Sequence, residues 1–149
     1  MSKNVSSLLL LLTCFALWPL AAGAEQSATV GDYVVHYNAL TTDMLQPEVA
    51  RHYGITRSKS QALLNVSVQK KVMGTTGKPV TASVEAHATN LNNQLKNIAM
   101  REVEDQGAIY YLGTVRVDHG ETLNFSIDVT PEGKGQPLTV EFQQRFFTE

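Results

Sequence analysis

Four histidines, three internal methionines and one knot of basic and aromatic side chains are the groups in this chain that could do chemistry. Imidazole is the commonest protein ligand for transition metals, so His36, His52, His87 and His119 come first. No two of them stand at H-x-H or H-x-x-x-H spacing, and they fall in different expected elements, so they read as structural or surface residues. Thioethers bind Cu(I), but Met44, Met73 and Met100 are isolated, with no M-x-M or H-x-M pair. No metal or other cofactor is expected. A hydrolase needs a nucleophile, a base and an orienting group. Ser58 and Ser60 lie close to His52, with Asp43 nearby, but this is a triad by composition only and no G-x-S-x-G accompanies it. Gly74-Thr75-Thr76-Gly77-Lys78 lacks the spacing and the strand-to-helix context of a phosphate loop. Cys14 is the sole cysteine, which excludes a disulfide or a multi-cysteine metal site. What remains is Arg51, His52, Tyr53, Arg57 and Lys59, with Asp43 just upstream. Arg57-Ser58-Lys59 could meet a carboxylate, a phosphate or an acidic partner through charge-assisted hydrogen bonds. The plainer reading is a solvated loop whose charges keep it in water.

Most of the elements that must position these residues alternate with period two, the mark of strands with one face in a core and one in water. Tyr33 to Tyr37 opens a first strand. "ALLNVSVQKK" sets Leu64, Val66 and Val68 against Asn65, Ser67 and Gln69. "PVTASVEAHAT", "IYYLGTVRV", "TLNFSIDVT" and "LTVEFQQRF" repeat the pattern. Leu95 to Glu104 suits a strand or a helix equally. Gly74 to Pro79, Asp105-Gln106-Gly107, Asp118-His119-Gly120 and Pro131 to Gly135 carry turn chemistry, and Asp118 to Glu121 reads as a tight hairpin between two strands. The expected fold is all-β: an antiparallel immunoglobulin-like β-sandwich of about seven strands, with one short helix between the first two strands. A closed barrel would need more strands. The N-glycosylation patterns at Asn65 and Asn124 fall inside expected strands and read as chance matches.

The N-terminus stands apart from that pattern. Lys3, an apolar run from Leu8 to Trp18 and the small-x-small Ala22-Gly23-Ala24 make a secretory signal peptide, 1–24. Pro19 interrupts a run already shorter than the ~20 residues of a membrane span. A lipoprotein site at Cys14 is the weaker alternative, because Thr13 is a poor residue before the cut. One domain, 25–149, remains, and the expected compartment is the periplasm. Removing Lys3 from 12 Lys+Arg leaves 11 against 14 Asp+Glu, a charge of −3. That excludes the strong basic field of a nucleic-acid binder, and no membrane span is expected after cleavage.

The stretch Thr41 to Ser60 breaks the β pattern. Pro47 suits a first helical position. Glu48 lies toward the positive end of the helix dipole and Arg51 and His52 toward the negative end. Gly54 can end the helix with positive φ. Pro47 to Tyr53 therefore reads as two helical turns. A helix so short needs packing, expected at an open end of the sandwich through Leu45, Val49 and Tyr53. A connection of this length is uncommon in a compact domain and is often functional.

"NALTTDMLQPEVARHYGITRSKSQALLNVSVQKK", from Asn38 to Lys71, resembles the characteristic segment of a family of small exported Gram-negative proteins known as domain of unknown function 4426. "FSIDVTPEGKGQPLTVEFQQRF" resembles its C-terminal strand pair. The resemblance implies an immunoglobulin-like sandwich and no activity. The functional expectation is a non-catalytic module that binds an envelope or periplasmic protein through a patch of Asp43, Arg51, His52, Tyr53, Arg57 and Lys59. A carrier of a small ligand or metal, or a hydrolase centred on the same segment, are the rivals.

Overall fold

Two antiparallel sheets face each other across one apolar core in the computed structural model, which describes residues 26–149. The signal-like stretch, its cleavage motif and Cys14 lie outside the described residues. The strands are β1 (Gln26–Val30), β2 (Tyr33–Thr41), β3 (Gln61–Lys70), β4 (Lys78–Pro79), β5 (Ala82–Asn90), β6 (Leu95–Ile98), β7 (Arg101–Asp105), β8 (Ala108–Arg116), β9 (Thr122–Pro131) and β10 (Leu138–Arg145). The larger sheet runs β1-β2-β3-β8-β7, with β4 added beside β3, and the smaller runs β10-β9-β5-β6.

Ten strands replace the seven expected. Gln26 to Thr29 carry little apolar signal, so alternation does not mark β1. It forms as an exposed edge strand on β2, across a turn in which Gly31 takes φ 57°. β4 is only two residues long. The ambiguous stretch at 95–104 is two strands, β6 and β7, and they belong to different sheets. The helix α1 (Pro47–His52) consequently lies between the second and third strands, not the first and second. Asp118 to Glu121 is not a hairpin either: β8 pairs with β3 and β7, whereas β9 pairs with β5 and β10, so this connection crosses between sheets. The turn chemistry is present, since Gly120 has φ 71° and the Glu121 carboxylate accepts the Asp118 N–H. What alternation cannot show is which strand lies next door.

The inward faces follow the period-two pattern. Ala62, Leu64, Val66 and Val68 of β3 meet Leu123, Phe125, Ile127 and Val129 of β9 in the core. Phe125 stacks on Phe142 at 4.7 Å and meets Phe146 edge-on at 6.2 Å. Burying each such side chain contributes about 1.5–3 kcal/mol. Where the chain passes from β6 to β7, Met100 and Ile98 press on Gly113 of β8. A Cβ there would lie 2.5 Å from Met100 Sδ and 2.6 Å from Ile98 Cγ2, so the sheet-switching corner needs a glycine.

Candidate functional site

The outer face of the larger sheet is where the structure puts the Thr41 to Ser60 segment, and this corrects the expectation that it seals an open end. In β3, Leu64 points into the core and Leu63 points out; in β8, Tyr111 points in and Leu112 out. Leu63 and Leu112 are buried all the same, because Ile55, Leu45 and Tyr53 of the segment cover them, beside Val103 and Tyr110. Two adjacent apolar residues, Leu63-Leu64 and Tyr111-Leu112, are what a strand covered on both faces requires.

The segment is fastened firmly. A 3-10 turn (Thr42–Met44) begins it. Thr42 is fully buried, and its hydroxyl accepts the Ser58 N–H at 2.8 Å and faces the carbonyls of Thr56 and Ser58 at 2.9 and 3.1 Å. One side chain thus joins the two ends of the insertion. The Arg57 guanidinium donates to the Asp43 carbonyl at 2.6 Å. Pro47 and the acidic-to-basic order of its side chains start and finish α1 as expected, and Gly54 has φ 65°. The buried residue of α1 is Ala50, with Val49 39% exposed, so Val49 sits at a rim and does not seal anything. Tyr53 takes the packing role: its hydroxyl donates to Asp105 Oδ2 at 2.9 Å, and its carbonyl accepts from Arg101 of β7. The bond to Asp105 raises the Tyr53 hydroxyl above its ordinary range, and burial adds to the shift.

Between the segment and the sheet lies an apolar recess of about 220 Å³. Leu40, Leu63, Asn65, Tyr110 and Leu112 form its floor, and Leu45, Val49, Tyr53 and Ile55 form its wall. Asn65 Oδ1 and Asp43 Oδ1 are the two buried side-chain oxygens without a hydrogen-bond partner among the described residues, and both belong to this region.

The six residues singled out in the sequence do not form one cluster. His52 and Tyr53 converge on Asp105, with His52 Nε2 3.2 Å from the same Oδ2. Asp43 and Arg57 meet through a main-chain carbonyl. Arg51 is exposed and pairs with Glu48 at 3.2 Å. Lys59 is exposed. The Ser58 hydroxyl lies 3.0 Å from that of Ser60, while His52 is engaged with Asp105. Sequence reading missed Asp105, Arg101, Tyr110 and the recess floor. Asp105 was hidden by a separation of 52 residues from Tyr53. The floor had a visible signal in its doubled apolar residues.

The sequence from 27 to 149 matches the model of the family described as Domain of unknown function (DUF4426). The chain belongs to the DUF4426 family. A DUF4426 family protein from Pseudomonas aeruginosa PAO1 is 37% identical, with a TM-score of 0.71, covering 83% of this chain and 94% of that one. The fold is also similar to FetP of uropathogenic Escherichia coli strain F11, recombinantly expressed in the periplasm, at 10% identity and a TM-score of 0.58 over 83% of this chain and 94% of that chain. A copper-bound variant of FetP has a TM-score of 0.56 at 10% identity, covering 83% and 95%. No curated protein matches the chain. None of the described helices is long and apolar enough to cross a membrane.

Proposed function

We propose that this DUF4426 protein is a non-catalytic binding module of the periplasm, exported by its cleaved signal peptide. In this reading it is an immunoglobulin-like sandwich that holds an envelope or periplasmic protein against the outer face of its larger sheet. The observation that carries the reading is the recess. Protein interiors are close-packed, yet a segment pinned by Thr42, Arg57 and Tyr53 leaves an apolar hollow of about 220 Å³ instead of filling it. The hollow has room for one large apolar side chain of a partner, the kind of anchor that dominates protein interfaces. Val49 of the wall is itself part-exposed, and the same segment carries exposed Met44, Arg51 and Lys59, apolar and charged groups of the kind that border an interface.

Support for a non-catalytic reading comes from the separate engagements of His52 and Ser58. The copper-bound FetP variant raises the rival reading of a metal carrier. Against it, His52 pairs with Asp105, His119 packs edge-on to Phe147, and His36 lines a different hollow beside Ser67 and Thr76. Among the described residues no three His, Cys, Asp or Glu side chains form a group able to hold a metal.

The test is recovery of a partner from periplasm by tagged protein carrying Val49→Asp, or Arg51→Gln with Lys59→Gln. Arg57 is left alone because its side chain holds Asp43. Exposed positions change stability by about 0.5 kcal/mol or less, so the thermal midpoints should stay near wild type. Val49→Asp puts a charge on the apolar wall of the recess and should lower recovery about tenfold or more, the loss expected when a buried anchor meets an unpaired charge. Wild-type recovery by both variants would remove the recess from the interface.

A further inference from the structure

One end of the molecule carries apolar and basic side chains that do not line the recess. The β1–β2 turn, the β3–β4 connection and the β9–β10 connection come together there, joined by the Tyr33 hydroxyl donating to Glu132 at 2.9 Å and the Lys71 N–H donating to the Asp32 carbonyl at 2.7 Å. At its tip Met73 is fully exposed and Val72 is 44% exposed, with Val30 exposed alongside. Lys70, Lys71 and Lys78 bracket the tip, and no acidic residue occurs from Val49 to Val84. Lys134 adds a fourth cation on the β9–β10 connection. Asp32 and Glu132 are the acids of those turns, and Glu132 is engaged by Tyr33.

The tip is built to stay open. The Thr75 N–H and hydroxyl both donate to the Val72 carbonyl, at 3.1 and 3.0 Å, and the Gly77 N–H donates to the Thr75 hydroxyl at 3.1 Å. Gly74 at φ 78° and Gly77 at φ 104° permit the turn, and Gly77 packs against Gln69 and Lys70. Lys71 Nζ donates to the Gly31 carbonyl at 3.1 Å, and Lys70 Nζ lies 5.8 Å from the centre of the Tyr33 ring. These bonds fix the backbone on both sides of Met73, whose side chain stands fully exposed. A hollow of about 270 Å³ lies beside it, lined by Lys70, Lys71, Thr75 and Thr76 among others.

We propose that this end docks on an anionic phospholipid surface. Val72 and Met73 enter the boundary between headgroups and acyl chains, the lysines meet lipid phosphates, and the hollow takes one headgroup. Apolar area buried at the interface and cationic attraction to anionic lipid are the two sources of such binding. Met73 stands fully in solvent at the tip, as insertion into a surface requires. Attachment by one loop is reversible.

Flotation of the exported protein with vesicles tests this, using phosphatidylcholine alone or mixed with phosphatidylglycerol, at low and high salt. Binding should require phosphatidylglycerol and weaken with salt. Each lysine near an anionic surface is worth about fivefold in partition, so K70Q/K71Q/K78Q should lose roughly 100-fold at low salt. V72S/M73S should also lose binding while keeping the wild-type melting curve, since both side chains are exposed. Equal binding to the two vesicle types overturns the proposal. So does binding that needs the lysines but not Val72 and Met73, which would mark the end as a site for a soluble acidic partner.

Discussion

Tyr111 is 4% exposed, yet its hydroxyl is bonded on both sides. It accepts the Ala82 N–H at 2.7 Å and donates to Glu102 at 2.9 Å, tying the smaller sheet to the larger. Burial pushes its pKa from 10.0 up to about 12; the Ala82 N–H opposes the shift, and the bond and charge of Glu102 reinforce it. A folded-state pKa above the unfolded value means the stabilisation is complete below pH 10 and is lost as pH rises toward about 12. Denaturation midpoints should therefore fall across that window. Tyr33 and Tyr53 also titrate upward, so the comparison with Tyr111→Phe isolates this group. The variant should cost about 1–3 kcal/mol at neutral pH, because the Ala82 N–H loses its acceptor, and should show a shallower alkaline decline. An identical decline in both proteins would contradict the assignment. At this scale the sequence revealed residue types but few partners. His52 and Tyr53 were legible as a polar and aromatic pair, but Asp105 could join them only once β7 was placed beside β8.

The strands and the helix were largely legible, because period-two alternation and the Pro47 to Gly54 signals are local. Neighbour relations were not. The 118–121 connection has hairpin chemistry and crosses between sheets, and 95–104 divides at Ala99-Met100 because one chain must serve two sheets. That corner makes a specific demand on Gly113. Its φ is not positive, so the need is for space and not for backbone freedom. Gly113→Ala forces Met100 and Ile98 aside, and overpacking of this kind costs about 1–3 kcal/mol. Urea denaturation should show the loss, and Met100→Ala in the same chain should restore part of it by freeing the space. A neutral Gly113→Ala would mean the corner relaxes without strain.

For the molecule as a whole, length indicated one domain, charge a mildly acidic one and period-two alternation an all-β fold, and the Asn38 to Lys71 segment indicated its family. The segment's location was the part that could not be read. Alternation shows that a strand has two faces, but not which face an insertion covers, and the doubled residues Leu63-Leu64 and Tyr111-Leu112 acquire meaning only when both strands lie side by side. The consequence is a molecule whose larger sheet is apolar on both faces over part of its area, with the second face incompletely filled. A photoreactive side chain placed at Val49 and, separately, at Glu141 on the exposed face of β10 tests most directly whether that second face receives a partner. After irradiation in living cells, position 49 should give a discrete cross-linked product and position 141 none. Products from position 141 alone, or none from position 49, would contradict a binding surface on the outer face of the larger sheet.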